Sequence, residues 1–194
     1  MPRGKTRKGE ESKARLLAAA AKEFATRGFH AAKISAIVAE AGLAQGAFYL
    51  YFPSKEAVFA ELLTRFGLRF RELGDQGRLV TPLQGKEAVV ERTRQNLEAL
   101  FAFLAEDPHL TRMALFQAPE GEALLQAVRE QVVRNLQANK EAGHHRPDLP
   151  VETAADCMAG AIERIARTRL LTGQAEPAAL AAEVTDLLLH GLLA

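Results

Sequence analysis

Small residues are followed by aromatic residues in one short segment, AGLAQGAFYLYF, at residues 41–52. It contains both tyrosines of the chain, Tyr49 and Tyr51, together with Phe48 and Phe52. A phenol can donate a hydrogen bond to a phosphate oxygen, whereas a phenylalanine ring is suited to burial. We therefore expect Phe48 and Phe52 in the core of a small helical unit. Tyr49 and Tyr51 are expected at its surface, with their hydroxyls directed either to water or to an external partner.

The residues just before these aromatics suit the reading of DNA bases. Gln45 can bind adenine through two hydrogen bonds, Gly46 permits a close approach, and the methyl group of Ala47 can contact thymine. Gly42 is expected at positive φ in the corner that precedes them. A helix, a corner and a second short helix in the major groove make up a helix-turn-helix.

The charge of the chain is distributed unevenly around its net value of +1. Residues 1–55 contain 10 Lys and Arg against 4 Asp and Glu, whereas residues 56–194 contain 15 against 20. A basic N-terminal quarter is typical of a module that binds a polyanion, although a solvated tail has the same composition. We expect its basic N-terminal arm either to enter a minor groove or to raise non-specific affinity for DNA.

Hydrophobic periodicity predicts that helices hold this segment in place. The first helix is expected to begin at an N-cap, Ser12, and to end at Gly28. The second is predicted at residues 34–40 and the third at residues 45–51. Pro53 ends the third helix, because a proline disfavours helix at the residue before it.

The rest of the chain is also predicted to be helical. A long fourth helix follows Ser54, and residues 74–85 are the best candidate for a linker. Five further helices are predicted, at residues 82–106, 108–116, 120–142, 151–172 and 177–193. The expected fold class is therefore all-α with about nine helices, and no apolar run is long enough to span a membrane.

Residues 18–63 closely resemble the N-terminal DNA-binding region of the TetR family of bacterial transcriptional repressors. The matching positions are Phe24, Gly28, Ile37, Ala41, Gly42, Leu43, Gly46, Phe48, Tyr49, Phe52, Ser54, Lys55 and Glu56. The resemblance implies a three-helix DNA-binding domain with a basic arm at residues 1–53. It implies an effector-binding and dimerisation domain at residues 54–194.

The resemblance also assigns DNA contacts position by position. The matching residues are Lys33, Gln45, Gly46, Ala47, Tyr49, Tyr51 and Lys55. It implies that Tyr49, Tyr51 and Lys55 meet the phosphate backbone. Two positions depart from the family pattern: Lys33 replaces a hydroxyl residue, and Ala44 replaces the usual serine N-cap. The second change removes about 1 kcal/mol of local helix stability.

The body is expected to bind a small apolar effector. Apolar residues that could line its cavity are Phe66, Phe70, Leu100, Phe101, Leu104, Met113, Phe116, Leu124, Val128, Met158 and Ile162. The alternative for each candidate is plain core packing, which is the commoner role of such residues. Family sequences that look nearest include repressors of fatty-acid degradation that respond to acyl-CoA, so the resemblance implies acyl-CoA as a hypothesis. Arg112, Arg164 and Arg167 are candidates for its phosphates.

The last two helices suit a two-fold symmetric interface, and a palindromic operator requires a dimer. The candidate interface residues are Ala155, Ala159, Ile162, Val184, Leu187, Leu188 and Gly191. The alternative is that both helices only cover the core of one monomer.

These patterns predict a cytoplasmic, homodimeric repressor that binds double-stranded DNA, responds to a ligand and has no membrane partner. The alternative is a helical small-molecule-binding protein without sequence-specific DNA binding. An enzyme has little support, because His144 and His145 lack carboxylates or a cysteine at ligand spacing. Cys157 is predicted to be a buried thiol without a histidine partner. We therefore predict no catalytic residue, no metal site and no cofactor.

Overall fold

The computed structural model describes the backbone of residues 3–76 and 85–191, and the side chains of residues 8–73 and 85–191. Within these ranges it contains no strand and has the helices α1 (Arg3–Arg27), α2 (Ile34–Glu40), α3 (Gln45–Phe48), α4 (Lys55–Gln76), α5 (Lys86–Glu106), α6 (Pro108–Phe116), α7 (Gly121–Glu141), α8 (Val151–Ile165) and α9 (Pro177–His190). A π-helical turn, Ala166–Leu170, continues α8. The prediction of an all-α chain is confirmed. None of the helices in these ranges is both long and apolar enough to cross a bilayer.

The first helix starts earlier than the sequence predicts. Helix α1 begins at Arg3, so Ser12 lies inside the helix and is not its N-cap. The hydroxyl of Ser12 accepts a hydrogen bond from Arg15 Nη2 at 3.4 Å. Lysine, arginine and glutamate have good helix propensity, which explains why the basic segment continues the helix. The predicted helix start at Pro82 lies outside the described residues, as does most of the predicted linker.

Residues 1–68 and 109–119 form one compact unit. Its core is built by α1, α2, the segment around α3, the first part of α4, and α6. The largest fully buried side chains there are Leu16, Phe24, Ile37, Phe48, Val58, Thr111 and Met113. Phe48 and Phe52 are 0% and 2% exposed, so their predicted burial is confirmed. Each buried side chain of this size contributes about 1.5–3 kcal/mol to folding.

A glycine corner joins α2 to α3. Gly42 has φ of 64°, as predicted, and the Leu43 amide donates to the Val38 carbonyl at 2.9 Å. Helix α3 is shorter than predicted, but the amides of Tyr51 and Phe52 both donate to the Phe48 carbonyl at 3.0 Å. The chain therefore continues as hydrogen-bonded turns to Phe52, along the path predicted for a longer helix.

Residues 69–108 and 120–194 form the second compact unit. In this unit α5 packs against α9, and α7 packs against α8. Phe101, Leu180 and Ala155 are fully buried there. This structural division does not follow the predicted functional boundary after residue 53, because the first part of α4 and most of α6 lie in the first unit. The functional boundary remains a prediction.

Candidate nucleic-acid interface and effector cavity

Helix α3 exposes its small residues. Gln45 and Gly46 are exposed and Ala47 is half-buried, while Phe48 anchors the helix from below. A Cβ atom added to Gly46 would meet no other atom within 4 Å. Packing inside the chain therefore does not require glycine at this position. A flat surface at Gly46 suits the close approach of an external partner.

The two tyrosines lie in different environments. The Tyr49 side chain is 58% exposed, and its ring meets the Phe48 ring edge-on at a centroid distance of 5.4 Å. Tyr51 is half-buried and packs against the core of the first unit. Its hydroxyl lies 3.9 Å from the position that a Cβ atom of Gly9 would occupy. Tyr49 is therefore the more accessible phenol, and the DNA contacts of both tyrosines remain predictions.

Leu50 is a surface residue that the sequence prediction missed. It is 81% exposed, next to the exposed Tyr49. The spacing of Phe48 and Phe52 contained the signal, because two core residues four positions apart direct the residue midway between them to the opposite face. An exposed leucine on this face can contact thymine methyl groups.

A shallow cleft of about 520 Å³ lies beside α3 in the first unit. Among the predicted DNA-binding residues, it is lined by Lys33, Gln45, Tyr49 and Lys55. Glu56 also lines the cleft, and its pKa is lowered by a hydrogen bond from its own backbone amide and by the Ser54 hydroxyl. The cleft therefore brings two lysines, a phenol and an ionised carboxylate together.

Lys33 has an accessible ammonium group. Its side chain is exposed and has no hydrogen-bond or ion-pair partner among the described residues. Its backbone is fixed at both ends, because its amide donates to Glu23 Oε1 at 3.3 Å and its carbonyl accepts from the amides of Ala36 and Ile37. In contrast, Lys22 is paired with Glu40 at 2.7 Å. Lys33 is thus free to meet a phosphate.

The ammonium group of Lys55 donates hydrogen bonds to backbone carbonyls of its own chain. Its Nζ atom donates to the carbonyls of Phe29, Ala32 and His30 at 2.7, 3.0 and 3.2 Å. It also lies 4.7 Å from the centroid of the Phe29 ring. An ammonium group has three N–H donors, so these carbonyls accept all of them. The predicted contact between Lys55 and a phosphate would require the loss of one of these bonds.

The second unit contains a cavity of about 790 Å³. Among the predicted effector-binding residues, its lining includes Phe70, Leu100, Val128, Met158 and Ile162. The lining runs along α7 from Ala127 to Asn139, which at 1.5 Å per residue is about 18 Å. The cavity is therefore long enough for an extended apolar ligand.

The remaining predicted effector residues lie elsewhere. Phe101, Leu104 and Leu124 are buried in the second unit without lining the cavity. Phe66, Met113 and Phe116 belong to the first unit. The apolar pattern identified these side chains as inward-facing, but it could not separate core from cavity.

Different arginines from those predicted lie at the cavity. Arg71 and Arg92 line it and have no partner among the described residues. Arg134 also lines it, and its Nη2 atom donates to Gln131 Oε1 at 2.8 Å. Arg164 and Arg167 do not line the cavity, and Arg112 lies in the first unit. The candidates for an anionic group are therefore Arg71 and Arg92.

Two other polar residues at the cavity matter for its chemistry. Burial, and to a lesser extent the neighbouring His144, lowers the pKa of His145, which favours the neutral ring. Cys157 also lines the cavity and is exposed, which corrects the prediction of a buried thiol. The buried stripe of this helical segment instead contains Ala155, Ile162 and Ala166, at spacings that exclude position 157.

The predicted interface residues fall into two groups. Ala155, Ile162 and Val184 are buried within their own unit. The others are accessible at least in part: Ala159 and Leu188 are half-buried, while Leu187 and Gly191 are exposed. Leu187 is 48% exposed and is the largest exposed apolar side chain of α9.

A glycine corner followed by an exposed short helix, together with a helical unit that contains a long apolar cavity, defines a helix-turn-helix regulator with a ligand-binding body. The family of bacterial regulatory proteins named tetR matches residues 16–62. The uncharacterised HTH-type transcriptional regulator YdgC of Bacillus subtilis is 46% identical over 186 residues, which cover 96% of this chain and 95% of YdgC. The chain therefore belongs to the TetR family.

Two further similarities agree with this assignment. The HTH-type transcriptional repressor KstR2 of Mycobacterium tuberculosis is 31% identical over 165 residues, covering 76% of this chain and 73% of KstR2. The structure of the regulator FadR from Bacillus subtilis in complex with stearoyl-CoA has a TM-score of 0.69 and 21% identity, covering 93% of this chain and all of that one. The second likeness shows a shared fold. The chain is a ligand-responsive, DNA-binding transcriptional repressor.

Proposed function

We propose that this repressor binds a palindromic operator as a homodimer in the cytoplasm, and that an acyl-CoA or a similar anionic amphiphile releases it, without catalysis. The observation that carries the proposal is the presence, in one chain, of an exposed face on α3 with Gln45 and Gly46 and of a long cavity in the second unit. A protein that only sequesters ligands would have no need for the first feature.

The DNA-binding part of the proposal assigns a role to each accessible side chain. Gln45, Gly46 and Ala47 approach base edges in the major groove. Lys33 and Tyr49 contact phosphates. Each phosphate charge that the protein neutralises makes the slope of log affinity against log salt concentration more negative by about 0.9. Tyr51 contributes a weaker backbone contact, since most of its ring is used for packing.

The dimer part depends on α8 and α9. The accessible residues Ala159, Leu187 and Gly191 would meet the same residues of a second copy across a two-fold axis. Leu188 is half-buried and also lines the cavity, so it would contribute less to this surface. Ala155, Ile162 and Val184 would support this surface from behind, since they are buried within the protomer.

The effector part follows from the shape and charge of the cavity. Its volume of about 790 Å³ falls in the range of small-molecule sites, and its apolar lining suits an acyl chain. Arg71 and Arg92, which have no partner within the described part of the chain, would bind the anionic group of the same molecule. The FadR of Bacillus subtilis, whose fold this chain shares, is described as a complex with stearoyl-CoA, which supports this ligand class. Release then follows if the ligand prefers the conformation that does not bind DNA.

Fluorescence anisotropy tests the proposal directly. Labelled duplexes from the region upstream of the gene are titrated with the protein at several salt concentrations, and stearoyl-CoA, free CoA or stearate is then added. We expect salt-dependent binding to a palindrome, and release by stearoyl-CoA but not by free CoA. Failure to bind any duplex would favour the small-molecule-binding alternative. Binding that resists every acyl compound would remove the effector assignment.

A further inference from the structure

The backbone between α1 and α2 is held by one side chain from a distant part of the chain. Lys55 Nζ donates to the carbonyls of Phe29, His30 and Ala32, which lie 23 to 26 positions earlier in the sequence. We call residues 29–32 the α1–α2 loop. Three carbonyls within four residues accept from this one ammonium group, which restricts the conformation of the loop.

The ammonium group is also held in place from the side. It lies over the ring of Phe29 at 4.7 Å, where a cation is attracted to the face of an aromatic ring. The Phe29 ring packs against Phe59 of α4 at a centroid distance of 4.7 Å and against Phe24 of α1 at 5.5 Å. The ring under the ammonium group is thus held between α1 and α4 in the core of the first unit.

The α1–α2 loop leads directly to a group at the DNA-binding cleft. Ala32, whose carbonyl Lys55 binds, immediately precedes Lys33. The amide of Lys33 is bound on the other side by Glu23 of α1. Lys55 and Glu23 therefore bind the same peptide group, which leads into Lys33, and the Lys33 residue lines the cleft with Gln45 and Tyr49.

We propose that Lys55 is a positioning residue for DNA binding, which acts by placing Lys33 at the phosphate backbone and is not itself a phosphate ligand. The geometry supports this role because the three carbonyls leave no N–H of the ammonium for a phosphate oxygen. The inference depends on the proposed operator binding, since Lys33 is expected to contact the operator.

A double-mutant cycle separates the two roles, because residues that act through each other have non-additive effects. The variants are Lys33→Gln, Lys55→Met and the double variant, and operator affinity is measured against salt concentration. Lys22→Gln on α1 is the control for loss of one positive charge. Circular dichroism melting first confirms that each variant is folded at the temperature of the assay.

If Lys55 positions Lys33, each single variant weakens operator binding by the homodimer about a hundredfold, because each of the two protomers loses one charge-assisted contact, about tenfold each. The double variant then binds about as tightly as Lys33→Gln, and its salt slope is lower than that of the parent by about 1.8, one phosphate contact in each protomer. If the two affinity losses multiply and the slope falls by about 3.6, Lys55 is a phosphate ligand and the proposal is wrong.

Lys55→Arg is the second test, and it applies even if Lys55→Met does not fold. Arginine keeps the charge, but a planar guanidinium cannot direct three N–H groups to the same three carbonyls as an ammonium does. A positioning role predicts weaker operator binding for this variant. Retention of parental affinity would overturn the proposal. If the parent itself binds no duplex, the proposed function fails instead, and the two failures are distinguishable.

Discussion

The two units of the chain present their functional surfaces in different ways. The cleft beside α3 in the first unit is lined by residues that all lie between positions 32 and 56. The cavity of the second unit is lined by residues scattered from Phe70 to Leu189, which come from five helices and from the segment between α7 and α8. A surface built from neighbouring residues leaves a motif in the sequence, whereas a cavity built from distant ones leaves only an apolar pattern.

The largest expected effects come from breaking the core of one unit at a time. Phe48→Ala is expected to destabilise the first unit by about 3–5 kcal/mol, because it removes a fully buried ring. Phe101→Ala, the matched change, should do the same in the second unit. Thermal melts, operator binding and stearoyl-CoA binding are measured on both full-length variants. We expect Phe48→Ala to weaken DNA binding while ligand binding is retained. Phe101→Ala should weaken both activities, because the proposed dimer surface also lies in the second unit. Loss of ligand binding together with DNA binding in the Phe48→Ala variant would contradict this separation.

The next-largest expected effect is on ligand binding in the cavity of the second unit. Arg71→Gln and Arg92→Gln are each expected to weaken stearoyl-CoA binding about tenfold, through loss of a charge-assisted contact, and to leave operator affinity unchanged. Arg164→Gln is the control, because Arg164 is exposed and does not line the cavity. Isothermal titration calorimetry gives the ligand affinities. An equal loss in the Arg164 variant would mean that general positive charge, and not the cavity, attracts the ligand.

A glycine pair tests the surface of α3. Gly46→Leu is expected to keep the thermal stability of the chain, since no atom lies near the added Cβ, and to lose operator binding by steric exclusion. Gly42→Ala should instead lower stability. We expect it to destabilise the first unit by about 1–2 kcal/mol, because φ of Gly42 is 64°, a value that is unfavourable for alanine. Melting curves and anisotropy titrations distinguish the two outcomes. Normal operator affinity for Gly46→Leu would show that α3 does not approach DNA closely.

The smallest expected effect is on pH dependence. Burial lowers the pKa of His145 from its usual 6.5, so the unfolded chain takes up this proton first as the pH falls. The stability contribution of the neutral ring is therefore complete above pH 6.5 and decreases as the pH falls through the lowered pKa of the folded state. His145→Gln should reduce the loss of thermal stability in that window. If the melting temperatures of the parent and of His145→Gln fell equally with pH across this range, the result would argue against burial of the ring.

Much of the first unit could be predicted from sequence because its signals are local. The α2 range, the positive φ of Gly42 and the burial of Phe48 follow from spacing within a few residues. The N-cap assigned to Ser12 was wrong because helix propensity continues upstream of it. Leu50 could have been found from the spacing of the two phenylalanines on either side of it.

The effector site shows the limit of that reasoning. The same helical pattern marks Phe101, which fills the core, and Leu100, which lines the cavity, although they are adjacent in sequence. Periodicity reports which face of a helix is inward, but it does not report which helix packs there or where a gap remains. The arginines proposed from sequence for the anionic group were Arg112, Arg164 and Arg167, whereas Arg71 and Arg92 lie at the cavity.

The sequence by itself determined that this protein is all-helical, that it has a glycine corner before a short helix, and that the phenylalanines and tyrosines of this segment divide between core and surface. These properties depend on neighbours along the chain. Only the tertiary structure decided that Lys55 binds three carbonyls of the α1–α2 loop and that Arg71 and Arg92 share one cavity. Such contacts join residues far apart in sequence, and their geometry exists only after the helices have packed.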